Sequence, residues 1–156
     1  MRKQIMIIGL AALVYACGSQ DSSKKETASN QPASSEKANP SYDPNRGAGK
    51  FTKVDVGASL DQAMAGAGQK VYDVKCSSCH KLTAEKLVGP GWSGVTSRHS
   101  AEWIMNFATN PDEMLDKDAK AQAMLEICLV RMPNQNLTDD DARHVYEFMR
   151  KNDGVK

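Results

Sequence analysis

Residues 76–80 of this 156-residue chain read Cys-Ser-Ser-Cys-His, and this segment limits what the chain can be more than any other. Two thiols one turn apart can form thioether bonds to the two vinyl groups on one edge of a porphyrin. The histidine that follows can then bind the iron through an imidazole nitrogen. The segment therefore predicts one covalent haem c, attached through Cys76 and Cys79, with His80 as an axial iron ligand.

Cys-x-x-Cys pairs also occur in redox-active dithiols and in zinc sites. A zinc site needs a second pair of ligands, and the remaining cysteines and histidines have no paired spacing: Cys17, Cys128, His99 and His144. A thioredoxin-like dithiol would accompany a βαβ pattern, and the sequence shows none. Haem attachment is therefore preferred, and the other two interpretations remain as alternatives.

The first 16 residues have the pattern of an export signal. Arg2 and Lys3 give a positive start, and residues 5–15 form an apolar run that is too short to span a bilayer. Residues 14–17, Val-Tyr-Ala-Cys, resemble a bacterial lipobox, in which Cys17 becomes the first mature residue and carries lipid. We therefore expect an exported protein, lipid-anchored on the periplasmic side of a membrane. The alternative is a soluble periplasmic protein with an incidental Cys17.

Residues 17–50 are predicted to be the lipidated cysteine and a disordered linker. Between Gly18 and about Gly49 the chain has almost no large apolar side chains. Such a segment cannot bury enough surface to offset the entropy lost on ordering. The compact domain is therefore predicted at residues 51–156.

The charge of the mature chain argues against one class of partner. Removing Arg2 and Lys3 with the signal leaves 18 basic side chains (20 − 2) against 19 acidic ones, a net charge of −1. This balance gives no basic surface of the kind that nucleic acid requires. We therefore expect no nucleic-acid partner.

The domain is predicted to be all-α, with about four helices joined by long loops. Apolar residues recur at three- and four-residue steps, and Ser100 and Thr138 are suited to be N-caps, the latter in a capping box with Asp141. The predicted helices run from Leu60 to Val74, from Ser100 to Asn110, from about Asp116 to Cys128, and from Thr138 onward. No strand-like alternation is evident.

Over about residues 68–151 the sequence resembles the class I (monohaem) cytochrome c family. Gly68 and Tyr72 precede the haem motif, residues 89–94 read Gly-Pro-Gly-Trp-Ser-Gly, and Met132-Pro133 follows 52 residues after His80 (132 − 80). The family usually has leucine where this chain has Trp92. The resemblance implies a cytochrome c-like fold around one haem, with the last helix crossing the first.

The same resemblance implies roles for further residues. The carbonyl of Pro90 would accept a hydrogen bond from His80 and fix its tautomer. Met132 would be the sixth iron ligand, and Trp92 and Trp103 would contact the haem, Trp103 through a propionate or by packing alone. Because methionine is common core filler, Met124 and Met149, which lie on apolar helix faces, are interpreted as core.

Three other residues could reach a metal or the haem. His99 could approach a propionate or the distal side, or have no role, and His144 is expected at the surface of the last helix. Cys128 is expected to be an inert buried thiol, with a soft-metal pair formed with Met132 as the alternative.

These inferences imply a one-electron Fe(II)/Fe(III) carrier in a membrane-associated respiratory chain, not an enzyme. Its expected partners are an upstream quinol-oxidising complex and a downstream terminal oxidase or reductase, and the chain is expected to be a monomer. One alternative is a haem enzyme or small-ligand sensor from which Met132 is displaced. Another is a permanent haem subunit of a larger reductase or oxidase.

Overall fold

A computed structural model of the chain describes residues 42–156. Within this range the backbone forms helices and long loops and no strand, so the all-α prediction is confirmed. The helices are α1 (Gln62–Lys75), α2 (Val95–Arg98), α3 (Ala101–Thr109), α4 (Pro111–Lys117), α5 (Ala119–Cys128) and α6 (Asp139–Asn152). The predicted signal peptide, Cys17 and the linker as far as residue 41 lie outside the described residues.

Four of these helices, α1, α3, α5 and α6, correspond to the four predicted ones. Each begins at a residue whose side-chain oxygen accepts a backbone N–H of the first turn: Asp61, Ser100, Asp118 and Thr138. At α6 the reciprocal bond from the Asp141 side chain is also present, so the predicted capping box forms. None of the helices in residues 42–156 is long and apolar enough to cross a membrane.

The short helices α2 and α4 are absent from the prediction. Pro111 begins α4, because proline has no N–H to lose in a first turn. The helix predicted from Asp116 is divided in two. Asp118 has extended backbone angles there and caps α5 through a 2.8 Å bond from the N–H of Ala121.

Helices α1 and α6 pack across each other in close contact, as the resemblance implied. Val145 of α6 is almost fully buried, and the rings of Tyr72 and Phe148 lie 5.4 Å apart. The buried positions of α1 are Ala65, Gly68 and Tyr72. Val74, at the end of α1, is 83% exposed and is not part of this packed face.

Residues 42–61, which we call the N-terminal strap, pack against the helices before α1 begins. The fully buried amide of Asn106 donates to the carbonyls of Arg46 and Phe51 and accepts the N–H of Phe51. Ala48 is buried as well. Within the described residues, packing against the helices thus includes residues 42–50, which lie in the predicted linker. The strap is held largely through backbone hydrogen bonds, which residue composition does not predict.

The strap is also fixed to α6 by a buried ion-pair cluster. Glu147 is fully buried, pairs with Arg143 at 2.6 Å and Arg150 at 2.7 Å, and accepts the N–H of Asp61 at 2.9 Å. Arg150 in turn donates to the carbonyl of Gly57 at 2.7 Å. Each buried charge thus has an opposite charge and a hydrogen-bond partner, which is the condition under which such groups are tolerated.

Candidate haem-binding site

One cavity of about 540 Å³ opens beside the Cys-Ser-Ser-Cys-His segment. Its walls come from the end of α1, the loop before α2, helices α3 and α5, and the loop between α5 and α6. All seven residues that the sequence assigned to haem line it: Cys76, Cys79, His80, Pro90, Trp92, Trp103 and Met132. The fold thus brings together residues that are up to 56 positions apart in the chain (132 − 76).

Two hydrogen bonds fix the orientation of His80, one at its side chain and one at its backbone carbonyl. Its Nδ1 lies 2.9 Å from the carbonyl oxygen of Pro90, and its own carbonyl accepts the hydroxyl of Tyr72 at 2.7 Å. A carbonyl can only accept, so Nδ1 carries the hydrogen and Nε2 keeps a free lone pair. Burial lowers the pKa of His80, and the Pro90 bond offsets part of that shift. The ring is therefore neutral and suited to bind a metal through Nε2.

Gly89 and Trp92 enclose the His80 ring. A Cβ atom on Gly89 would lie 2.4 Å from Cε1 of His80, so only glycine lets the loop pass this close. The ring of Trp92 lies 5.5 Å from that of His80 and 4.9 Å from that of Tyr72. These contacts hold the imidazole in one orientation at the cavity wall.

Cys76 and Cys79 lie in the tight turn that carries His80. The N–H groups of Cys79 and His80 both bond to the carbonyl of Cys76, at 3.0 and 2.9 Å. Burial raises the pKa of the Cys76 thiol to about 11. A redox-active dithiol works through a thiol of lowered pKa, so this environment disfavours the dithiol alternative.

Met132 lies half-buried in the loop between α5 and α6. α5 ends at Cys128, and the next residue, Leu129, adopts the left-handed backbone conformation with φ 62° and turns the chain toward this loop. The adjacent Arg131 pairs with Asp116 of α4 at 3.0 Å. Three residues after Met132, the carbonyl of Gln135 accepts the ammonium of Lys75 at 2.9 Å. The methionine therefore stands between two anchors.

Two buried nitrogen atoms in the described part of the chain have no hydrogen-bond partner, and both belong to side chains that line this cavity. They are Nδ1 of His99 and Nε1 of Trp103. Their rings are stacked, with centroids 4.0 Å apart and planes 15° apart. Buried polar atoms are almost always paired, so these two nitrogens indicate an acceptor that the polypeptide itself does not supply.

A haem fits these observations on three counts. The thiols and His80 stand at one side of an apolar cavity, a second iron ligand of suitable type reaches the same cavity, and the unpaired nitrogens match the propionates. Cys76 and Cys79 would hold the porphyrin covalently, His80 and Met132 would bind its iron, and Trp103 would donate to a propionate. Nitrogen and thioether ligands are the pair found at low-spin electron-transfer iron.

Three residues at this cavity had been interpreted otherwise or left open. Met124, expected in the core, lines the cavity and is partly buried. Cys128 lines it too, and also a smaller adjoining cavity of about 280 Å³. His99 is stacked at its wall, a position that its place next to the N-cap Ser100 and four residues before Trp103 could have indicated. His144, by contrast, is on α6 and does not line it.

Comparison with known proteins agrees with this geometry. A family model described as cytochrome c matches residues 65–153. A cytochrome c from Rhodothermus marinus is 28% identical with a TM-score of 0.65, over 67% of this chain and 90% of that one. An engineered cytochrome c from Rhodothermus marinus is 27% identical with a TM-score of 0.67, over 71% of this chain and 98% of that one.

The same engineered protein bound to a carbene intermediate is also similar, with 27% identity and a TM-score of 0.65. A search of curated proteins found no significant match. The family binds haem c covalently, and the cysteines that this requires are present at residues 76 and 79. Since the family model covers more than half of the chain, this protein belongs to the cytochrome c family.

Proposed function

We propose that this protein is a one-electron carrier, not an enzyme, and that it works at the periplasmic side of a membrane in a respiratory chain. The observation that carries the proposal is that His80 and Met132, from separate parts of the chain, line one cavity. An iron bound from both sides has no open position for a substrate. Haem c, when bound, supplies an iron that changes by one electron between its ferrous and ferric states.

The surrounding residues support such a role by limiting change at the site. The Pro90 carbonyl and the Gly89 and Trp92 contacts keep His80 in one orientation. The anchors of the Met132 loop, Arg131 and Lys75, hold the thioether near the same cavity. Because few groups and few waters have to move when the iron gains or loses an electron, electron transfer at such a site has a low reorganisation energy.

The rim of the cavity supports brief contact with redox proteins. Three valines line the cavity and are exposed in the polypeptide alone: Val74 at 83%, Val88 at 39% and Val130 at 54%. We call these three residues the apolar rim. A small exposed apolar patch next to a cofactor favours association that is specific but short-lived. The partners proposed are an upstream quinol-oxidising complex and a downstream terminal oxidase or reductase, each meeting a monomer of this chain.

Visible spectra of the purified holoprotein test the carrier proposal. We expect a low-spin spectrum in both oxidation states and a methionine–iron charge-transfer band in the ferric state. Met132→Ala should abolish that band, whereas Met124→Ala, which removes another methionine at the cavity, should retain it. A high-spin ferric spectrum of the wild-type protein, or a band that survives in Met132→Ala, would contradict the ligand assignment.

The membrane attachment is proposed from Cys17 and its flanking residues. Expression with the native leader should give a membrane-bound haem protein. Cys17→Ser should release it into the soluble periplasmic fraction with an unchanged spectrum. Equal distribution of the two proteins between the fractions would contradict a lipid anchor.

A ligand-binding haem protein is the second candidate function. It is favoured by the position of Met132 in a loop outside the helices, whose anchor Arg131 makes only exposed ion pairs. Such pairs stabilise a structure weakly. The engineered relative bound to a carbene intermediate is consistent with this candidate. Rapid carbon monoxide binding by the ferrous protein at neutral pH would favour it, and resistance would favour the carrier.

A further inference from the structure

His99 has a chemical environment that a purely structural residue would not need. Its Nδ1 is buried without a hydrogen-bond partner, although its ring is stacked on Trp103 at the wall of the haem cavity. An imidazole left in this state loses solvation at one nitrogen and gains no bond in return. The side chain is therefore arranged for a bond to something in the cavity.

The chain has only three histidines, and they have different environments. His80 is bonded through Nδ1 to Pro90, which leaves Nε2 for iron. His144 lies on α6, away from the cavity lining. Of the three, His99 alone combines a place at the cavity with a buried ring nitrogen that has no hydrogen-bond partner.

The charged groups around His99 belong to several elements. Arg98 at the end of α2 and Lys120 on α5 disfavour its protonated form, and Asp118, the N-cap of α5, favours it. Tyr42 of the N-terminal strap is hydrogen-bonded to that carboxylate at 2.5 Å. Arg98 also donates to the carbonyls of Ser93 and Gly91, and Lys120 to that of Pro44, so both cations are held in place.

In the polypeptide alone, the net effect favours neutral His99. Burial is the largest cause and lowers its pKa, and Arg98 and Lys120 lower it further. A propionate in the cavity would act in the opposite direction, because an adjacent negative charge favours the imidazolium. The protonation of His99 would then depend on the net charge of the haem in the same apolar cavity.

We propose that His99 is a proton-binding site whose affinity is coupled to the oxidation state of the haem. The proposal rests on the carrier function above. On reduction, one electron enters from a redox protein and one proton from solvent binds the unprotonated ring nitrogen of His99; oxidation releases both. The proton binds more tightly in the reduced state, because reduction removes one positive charge from the cavity.

The higher proton affinity of the reduced state determines the direction in which the reduction potential changes with pH. At low pH, His99 is protonated in both oxidation states, and at high pH it is neutral in both, so the reduction potential is constant at each extreme. Between the two limits, reduction takes up a proton, and the potential falls as pH rises. An affinity ratio of about tenfold corresponds to a total fall of about 59 mV for a one-electron couple.

The test is a spectroelectrochemical titration of the holoprotein from about pH 5 to about pH 9, the range in which histidines titrate. We expect the wild-type potential to fall between two plateaus. In His99→Gln the reduction potential should not change with pH and should stay near the high-pH plateau of the wild-type protein. His144→Gln should retain the fall, and Trp103→Phe, which removes an N–H but no titrating group, should displace the whole profile and keep its amplitude.

A flat wild-type profile, or a fall that persists in His99→Gln or disappears in His144→Gln, would overturn the proposal. If His99→Gln does not take up haem, NMR titration of the His99 ring in both oxidation states of the wild-type protein replaces it, and equal proton affinities in the two states would overturn the proposal. The charge-transfer band, recorded at each pH, reports Met132 ligation separately. An intact charge-transfer band together with a reduction potential that does not change with pH would therefore contradict the proton coupling and leave the carrier proposal unaffected.

Discussion

The backbone of Gly68 on α1 lies directly against the carbonyl oxygen of His144 on α6. A Cβ atom at position 68 would be 2.0 Å from that oxygen and 2.9 Å from Cβ of Phe148. The neighbouring atoms are mainly backbone, which cannot rotate away as a flexible side chain would. The crossing of the two longest described helices therefore depends on the absence of a side chain at one position.

We expect Gly68→Ala to destabilise the holoprotein by about 1–3 kcal/mol or more, because the helices must separate to admit the methyl group. Gly66→Ala is a matched control on the same helix. A Cβ there meets nothing within 4 Å, so alanine should stabilise the helix by about 0.5–1 kcal/mol. Urea unfolding followed by circular dichroism measures both. Equal effects of the two substitutions would contradict the close approach.

The buried Glu147 should make stability depend on acid pH. Burial alone would raise its pKa, but bonds from the N–H of Asp61 and from Arg143 and Arg150 outweigh this, and the net pKa is lowered from its usual 4.5. Its contribution is therefore complete above about 4.5 and is lost as pH falls through the lowered value.

Replacing Glu147 by glutamine should cost about 3 kcal/mol at neutral pH, because Arg150 then keeps a buried charge without its partner. The difference from the wild-type protein should shrink in acid, where the wild-type carboxylate is protonated. Glu126→Gln, at an exposed position on α5, should have little effect at either pH. A constant difference between wild type and Glu147→Gln across this pH range would argue against the ion-pair origin.

The hydrogen bond from Tyr42 to Asp118 should contribute to the stability of the N-terminal strap and of α5 together. Asp118 is fully buried and caps α5. Tyr42→Phe removes the donor and should cost about 1.5–3 kcal/mol, the range for bonds to charged groups. Lys120→Met, which removes a surface bond to the carbonyl of Pro44, should cost less.

Alkaline unfolding gives a second readout for this bond. Burial, and then the bond to Asp118, raise the pKa of Tyr42 to about 12. The bond's contribution should therefore be complete below about pH 10, the usual tyrosine value, and be lost as pH rises toward 12. In Tyr42→Phe that alkaline loss should be smaller. Identical alkaline profiles for the two proteins would contradict it.

The apolar rim should govern how fast partners react. Val74→Lys places a charge that must be desolvated on contact, so reduction by the proposed upstream partner, a quinol-oxidising complex in membrane vesicles, should slow about tenfold. Val56→Lys is the control, since Val56 is exposed at 37% and does not line the cavity. Stopped-flow absorbance measures both rates. Similar rates for the two variants would place partner contact elsewhere.

The sequence predicted the helical fold because its signals were local. Ser100, Asp118 and Thr138 are capping residues at the starts of their helices, although Asp118 had been placed inside one. The cavity could be anticipated because the haem motif places three of its groups within five residues. The later segments were located by resemblance, and the structure brings them to the same cavity.

Other features depended on contacts that local pattern does not encode. The N-terminal strap has few large apolar residues, and part of its backbone is fixed by the amide of Asn106, more than fifty positions away. The close approach of Gly68 to the backbone of His144 likewise depends on a tertiary contact. The stacking of His99 on Trp103 could not be predicted from the sequence, because it depends on the three-dimensional path of the turn into α3.

The strap also decides where the upstream chain joins the domain. Tyr42 is bonded to the residue that begins α5, whereas Val130 of the apolar rim follows that helix at its other end. Ten helical residues separate these points by about 15 Å. Tyr42 therefore fixes the start of the described chain beside the N-terminal end of α5, at the opposite end of that helix from Val130.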